Sequence, residues 1–203
     1  MENTMKKFLM GALMMCYVVT ANAADIKLVA PDMSGGMPLL DAIKARRTGR
    51  SFDEKMLSEK HLSTLLWSVW GYSSDDERRV VPTARNMQDM DVYVATKDGW
   101  YAYNAKDNLL TQKGTKDLRT IIAHGQTFAE TAPVHLLFIT NNKKYGDVHA
   151  GSMYENAGLY CASEKLQCVV RAWYDRAELK EALGLEGDLE VVMTMAIGYP
   201  AAQ

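Results

Sequence analysis

Little in this chain is extreme, and each scarcity excludes something. Three cysteines among 203 residues cannot build a disulfide-dense scaffold. A formal net charge of −2 leaves no cationic footprint for nucleic acid and no strong pull toward anionic membranes. The apolar run Phe8 to Val19 covers 12 residues, short of the ~20 that a bilayer-spanning helix needs. No internal repeat, linker or low-complexity tract interrupts the chain. The G-x-S-x-G elbow, the P-loop and the G-x-G-x-x-G turn are all missing. The histidines, His61, His124, His135 and His149, have no partner at i,i+3 or i,i+4, so no metal-ligand pattern stands out. Neither Cys161 nor Cys168 lies in an electropositive stretch that would activate a thiol. Chemistry without a protein nucleophile or a metal has to come from an organic cofactor.

What remains is ordinary for a soluble globular chain: 48% hydrophobic and 24% charged residues, in a length that suits one large domain. The start reads as an address. Lys6 and Lys7 precede the apolar run, and Ala21-Asn22-Ala23 supplies small residues where a signal peptidase reads. Residues 1–23 are therefore expected to be a secretory signal, with residues 24–203 as the exported, periplasmic domain. No twin arginine precedes the run, so export in the unfolded state is expected and any cofactor binds afterwards. Cys16 leaves with the leader. Cys161 and Cys168 are seven apart in a stretch read mostly as helix, where ~10.5 Å of rise keeps a disulfide from closing. Two buried apolar thiols are the expectation.

Residues 25–36 read as an extended lead-in. Leu39, Leu40 and Ile43 recur at helix spacing after Pro38, and this first helix is expected to run to about Arg47 and stop at Gly49. Ser58 can cap a second helix with one apolar stripe, Leu62, Leu65, Leu66, Val69 and Trp70, closed by Gly71. Asp91 to Ala95 and Trp100 to Tyr103 flank Asp98-Gly99 as a hairpin, and Leu109-Leu110 follows a second turn. Val134 to Thr140 is apolar enough for a central strand. Helices are expected near Asp117–Ala123, over Val148–Lys165, and from a capping box at Asp175 and Glu178 to Gly184, before a last strand over Leu189–Ile197. Irregular interleaving with an antiparallel hairpin favours the α+β class.

Two clusters can carry chemistry. Arg46, Arg47 and Arg50, with Thr48 and Gly49 between them, put three guanidinium forks and a hydroxyl where a phosphate could sit. The same cations at a helix C-terminus also serve simply to offset its dipole and cap its last carbonyls. Pro82-Thr83-Ala84-Arg85-Asn86-Met87-Gln88 sets two carboxamides in a turn, able to address a heteroaromatic ring edge or merely to decorate a loop.

Taken in order, Arg46-Arg47-Thr48-Gly49-Arg50-Ser51-Phe52, a Leu-rich helix, Pro82 to Gln88 and a strand resemble the FMN-dependent nitroreductase superfamily. That family opens with R-R-S-x-R-x-F and continues with P-S-x-x-N-x-Q. The segment Leu65 to Gly71, the aromatic run Trp100-Tyr101-Ala102-Tyr103 and Leu109-Leu110 look closest to its azoline-oxidising dehydrogenase branch, and Ala196-Ile197-Gly198-Tyr199-Pro200 matches its terminal strand. The resemblance covers about residues 38–200.

It implies a nitroreductase-like α+β fold, a central mixed but mainly antiparallel sheet flanked by helices. It also implies a homodimer with FMN at the interface. Arg46, Arg47 and Thr48 would hold the phosphate and ribityl end, and Arg50 would sit nearer the pyrimidine ring. Thr83, Ala84, Asn86 and Gln88 would line the isoalloxazine, and backbone N–H groups at Ala172 and Trp173 would face flavin N5. No catalytic acid, base or metal is implied. The activity would be hydride or electron transfer to or from a small nitroaromatic, quinone or azoline-like substrate. An exported enzyme lacks NAD(P)H, so a membrane or small-molecule donor is expected. A non-catalytic exported flavin- or small-molecule-binding protein on the same fold is the alternative. Thr48 replaces the family's usual Ser and keeps its hydroxyl. The basic residue that the family carries after Gly-Tyr-Pro has no counterpart among residues 201–203, so the phosphate site is made without it or binds more weakly.

Overall fold

The apolar run Val134–Thr140 forms a strand buried along its whole length, as expected of one covered on both faces. In this computed structural model, which describes residues 24–73 and 77–202, it lies inside a seven-stranded sheet. The strands are β1 (Ile26–Lys27), β2 (Asp91–Thr96), β3 (Gly99–Asn104), β4 (Leu109–Gly114), β5 (Val134–Thr140), β6 (Gln167–Arg171) and β7 (Glu190–Gly198), in the order β1-β4-β3-β2-β5-β7-β6. Each of the six pairings is antiparallel, so the expected mixed sheet is corrected to an entirely antiparallel one. The expected leader lies outside the described residues. Among the described residues no helix is long and apolar enough to cross a membrane.

Period-two alternation sorts β5 between two layers. Val134, Leu136 and Phe138 join a large core with α2 (Glu59–Trp70) and α5 (Gly146–Ser163). Leu137 and Ile139 join a smaller one with α3 (Arg119–Ala123) and α6 (Arg176–Ala182). The caps fall where the sequence puts them: Ser58 Oγ accepts from His61 N–H at 3.1 Å, and Asp175 Oδ1 from Glu178 N–H at 2.9 Å. A one-turn helix, α4 (Thr127–Glu130), was not expected.

Two expectations change. The first helix, α1, spans Leu39–Ala45 with Arg46 as its C-cap, so Arg47 lies beyond it. Its apolar stripe does not enter the core: Leu39, Leu40 and Ile43 are 64%, 78% and 51% exposed, because α1 rests on the molecule through Ala42 instead. The second change concerns the cysteines. Helix α5 ends at Ser163, Lys165 takes φ 56°, and Leu166 N–H donates back to Cys161 C=O at 2.8 Å. This reversal, a Schellman-type stop with Lys where glycine is usual, returns the chain as β6 beneath the last turn of α5. Cys168 therefore sits on a strand and meets Cys161, rather than standing two turns along one helix. Both thiols are buried and unbridged. The hydrogen bond that the Cys161 thiol gives to Cys168, with burial, pushes its pKa up.

Candidate functional site

The cationic elbow begins where α1 stops. Its backbone is pinned on two sides. Gly49 N–H donates to Cys168 C=O on β6 at 2.9 Å; Asp53 N–H donates to Tyr199 C=O at 2.9 Å and Ala201 N–H to Ser51 C=O at 3.1 Å. The Gly-Tyr-Pro segment that closes the chain thus runs beside the elbow, and Phe52 is buried against Gly198.

The three guanidinium groups each have their own partner. Arg46 lies along Gly158 of α5 and approaches Glu155 with Nε at 3.6 Å from Oε1, a long and half-exposed ion pair. With Thr48, Tyr154 and Cys168 it lines a cavity of about 240 Å³. Arg47 does what the simpler reading asked of it: its Nη1 donates to the carbonyls of Lys44 and Arg46, at 2.9 and 2.7 Å, and so caps α1. Arg50 stands over the Phe128 ring, 5.7 Å from its centroid.

Ala172 and Trp173 follow β6, and Arg171 fixes where they go. Its buried guanidinium donates to Gln126 Oε1, to the carbonyls of Ile122 and Ala123 at the end of α3, and to Trp173 C=O, at 2.7 to 2.9 Å. Arg50 and the 172–173 segment thereby share the same short connection, residues 124–128, as neighbour. Trp173 is 64% exposed and its ring lies 6.1 Å from that of His124.

The amide turn is a short 3-10 helix, Ala84–Asn86. Thr83 Oγ1 accepts from Gln88 N–H at 3.1 Å. Ala84 N–H donates to His149 Nε2 at 2.8 Å. Arg85, Asn86 and Gln88 all have φ near +50° (54°, 54° and 48°), a region L residues enter reluctantly. Asn86 is exposed, whereas the Gln88 carboxamide is fully occupied: Oε1 accepts from Arg79 Nε at 3.0 Å, and Nε2 donates to Glu77 C=O and Asn86 Oδ1. Arg79 is clamped between the rings of Trp70 and Tyr72, at 4.5 and 4.0 Å, and donates to Trp70 C=O. Burial pulls its pKa down.

Helix α5 shows how the clusters are arranged. The turn attaches at His149 and the elbow at Gly158, nine residues later. Nine residues are two and a half helical turns, so the attachments fall on opposite sides of α5, ~13.5 Å apart along its axis. Within one chain, Arg46 and Thr48 thus meet α5 on one side and the Thr83–Gln88 turn meets it on another, while Arg50 and Trp173 gather about residues 124–128. The donor set fits a phosphorylated flavin in kind: hydroxyl and guanidinium groups for an anion, and the exposed Asn86 carboxamide for a ring edge. Sequence reasoning missed His149, Arg79 and Arg171, which contact the site residues rather than form them, and Asp89, which acts through His149. Among the described residues, no three His, Cys, Asp or Glu side chains gather to hold a metal.

The fold is of the α+β class, an antiparallel sheet flanked by helices, with an arginine elbow beside its terminal strand and an amide turn behind α5. The chain belongs to the nitroreductase family, whose model matches residues 43–199. It is similar to a nitroreductase-type protein of Ralstonia eutropha JMP134, with 36% identity and a TM-score of 0.83 over 88% of this chain and 90% of that one. At 17% identity, a nitroreductase family protein of Clostridium novyi NT shares the fold, with a TM-score of 0.62 over 81% of this chain and 86% of that one. So does a chain of the Escherichia coli microcin synthetase McbBCD complex, at 16% identity and TM-score 0.66, over 97% of this chain and 85% of that one. No curated protein matches. Family membership makes the chain an oxidoreductase of a flavin-using kind.

Proposed function

We propose that this protein is an exported, FMN-dependent oxidoreductase working as a homodimer on a small organic substrate. The observation that carries this reading is the division of the site across α5. The elbow of one chain and the amide turn of another can enclose a ligand that neither encloses alone. The uncovered apolar face of α1, with Leu39, Leu40 and Ile43, is the surface a second copy would bury.

In that site Arg46 exchanges its long contact with Glu155 for the phosphate, and Thr48 adds its hydroxyl. Arg50 supplies positive charge toward the pyrimidine end. From the partner chain, Thr83, Ala84 and Asn86 line the ring, while Gln88 shapes the turn from within. Backbone N–H groups at Ala172 and Trp173 face the reactive edge. When bound, the flavin supplies hydride or electron transfer at N5. The substrate class is nitroaromatic, quinone or azoline-like. The azoline reading draws on the sequence likeness of Leu65–Gly71 and Trp100–Tyr103 to that branch. The secretory leader supports a periplasmic site of action and a donor other than NAD(P)H.

The test is the visible spectrum and mass of the purified exported chain. Stoichiometric FMN, a dimer by light scattering, and turnover of a quinone or nitroaromatic with a chemical reductant are expected, with slow reduction by NADH. A monomer that stays colourless when offered FMN would overturn the reading. Stoichiometric FMN without turnover of any acceptor would favour a non-catalytic flavin carrier.

A further inference from the structure

The amide turn is fastened to the core through one histidine, and the direction of its bonds fixes the state of that ring. Ala84 N–H donates to His149 Nε2 at 2.8 Å. A ring nitrogen that accepts carries no proton, so the ring's single proton lies on Nδ1. Nδ1 is 2.9 Å from Asp89 Oδ1, which accepts it. Asp89 is itself held at the end of β5: Asn142 Nδ2 donates to its second oxygen, and Thr140 Oγ1 donates to its carbonyl at 2.7 Å. His149 is 3% exposed, with the Tyr145 ring stacked 6.0 Å away at 24°. A line of hydrogen bonds therefore runs from β5 through Asp89 and His149 into the turn. It works in one protonation state only, since a proton on Nε2 would set a donor against the Ala84 donor.

The turn needs this hold. Three of its residues sit at positive φ, which costs backbone energy that the surroundings must offset. We propose that His149, fixed as the Nδ1–H tautomer by Asp89, is the positioning residue that keeps residues 83–88 in the conformation that receives the flavin ring. The flavin half of this statement rests on the proposed function; the tautomer and the hold on the turn do not.

The experiment has an apoprotein arm and a flavin arm, with His149→Phe and His149→Gln compared with the parent chain. Glutamine offers one acceptor and one donor in a planar neutral group, as the Nδ1–H imidazole does, whereas phenylalanine keeps bulk alone. In the apoprotein, ¹⁵N spectra are expected to show a protonated Nδ1 and a bare Nε2 on His149. Ala84 amide exchange should speed up about tenfold or more in His149→Phe, the loss of a buried bond worth ~1.4 kcal/mol, and be largely restored in His149→Gln. FMN affinity should follow the same order, with about a tenfold loss for phenylalanine and recovery with glutamine. A proton on Nε2, or unchanged Ala84 exchange in His149→Phe, would overturn the hold on the turn. Loss of the hold with full FMN affinity would overturn its link to the flavin. If the parent chain binds no FMN, the flavin reading falls, and the apoprotein spectra alone decide the hold.

Discussion

The amide turn and the cationic elbow are built by opposite means. In the turn the side chains are committed: Gln88 is held at both ends, Thr83 is bonded within the loop, and His149 grips Ala84. Its backbone carries the strain. In the elbow the backbone is fixed, by Gly49 against Cys168 and by Ser51 and Asp53 against the terminal segment, and Arg47 caps α1, while the side chains of Arg46 and Arg50 keep loose partners. A rigid amide edge suits recognition of a planar ring, where ordering has been completed before binding. Guanidinium groups with weak partners can reorganise around an anion at little cost. Damage to the turn should therefore reach stability and binding together, and damage to the elbow should reach binding alone.

The largest effect lies outside both regions and supplies the background against which they are read. His135 on β5 is buried; its Nε2 donates to Ala129 C=O at 2.8 Å and its Nδ1 has no partner among the described residues. Burial lowers its pKa from the ordinary 6.5 to about 4. The unfolded chain therefore binds this proton more readily than the folded one. The group costs nothing above pH 6.5, and stability is lost as pH falls from 6.5 to about 4, by ~3 kcal/mol in all. Urea unfolding across this window should show that slope in the parent chain and a shallower one in His135→Gln. Flavin retention at neutral pH should be equal in both. Equal slopes would remove His135 as the cause.

Next comes Arg79, which supports the turn from below. Arg79→Leu loses charge-assisted bonds to Trp70 C=O and Gln88 Oε1 and frees the Gln88 carboxamide. We expect ~2 kcal/mol less stability by denaturant titration, with weaker FMN binding in the same variant. If stability fell and binding did not, the turn would not be the ring-facing element.

The two regions also differ in how legible they are in the sequence. Local signals were legible: Ser58 and Asp175 as caps, Asp98-Gly99 as the hairpin, Val134–Thr140 as the buried strand. The residue types of both clusters were legible too, because guanidinium groups at spacing one and three, or paired carboxamides, are rare in combination. What supports them was not. Arg79 and His149 reach the turn across 9 and 65 residues of chain, Asp89 acts through His149, and Arg171 binds backbone carbonyls, and no periodicity records such contacts. Strand β6 was hidden for a related reason. Lys165 takes the left-handed stop that glycine would have announced, so the turn into β6 went unmarked and Cys168 was read with a mostly helical stretch. The apolar stripe of α1 was legible as spacing alone, and spacing reveals an apolar face and not what covers it; this one lies exposed.

The elbow can be probed at constant fold. Arg50 touches only the Phe128 ring among the contacts described for it, so Arg50→Ala should leave thermal stability within ~0.5 kcal/mol. FMN affinity should fall about tenfold, the loss of one charge-assisted contact worth ~1.5 kcal/mol. A variant that binds as well as the parent but melts early would reverse the contrast between elbow and turn.

The smallest expected effect is the most selective. Thr48 lies beside Arg46 in the cavity against α5, where a neutral hydroxyl can add one hydrogen bond to an anion that the guanidinium already attracts. Such a bond contributes ~1 kcal/mol, so Thr48→Val should weaken FMN binding about fivefold while preserving shape. Thr48→Ser keeps the hydroxyl, loses a methyl group and should bind as the parent does. Riboflavin, which lacks the phosphate, separates the causes: if the hydroxyl meets the phosphate, Thr48→Val binds riboflavin as the parent does. An equal loss for both ligands would place Thr48 against the ribityl chain or the ring, and would move the anion-binding end of the elbow to its arginines alone.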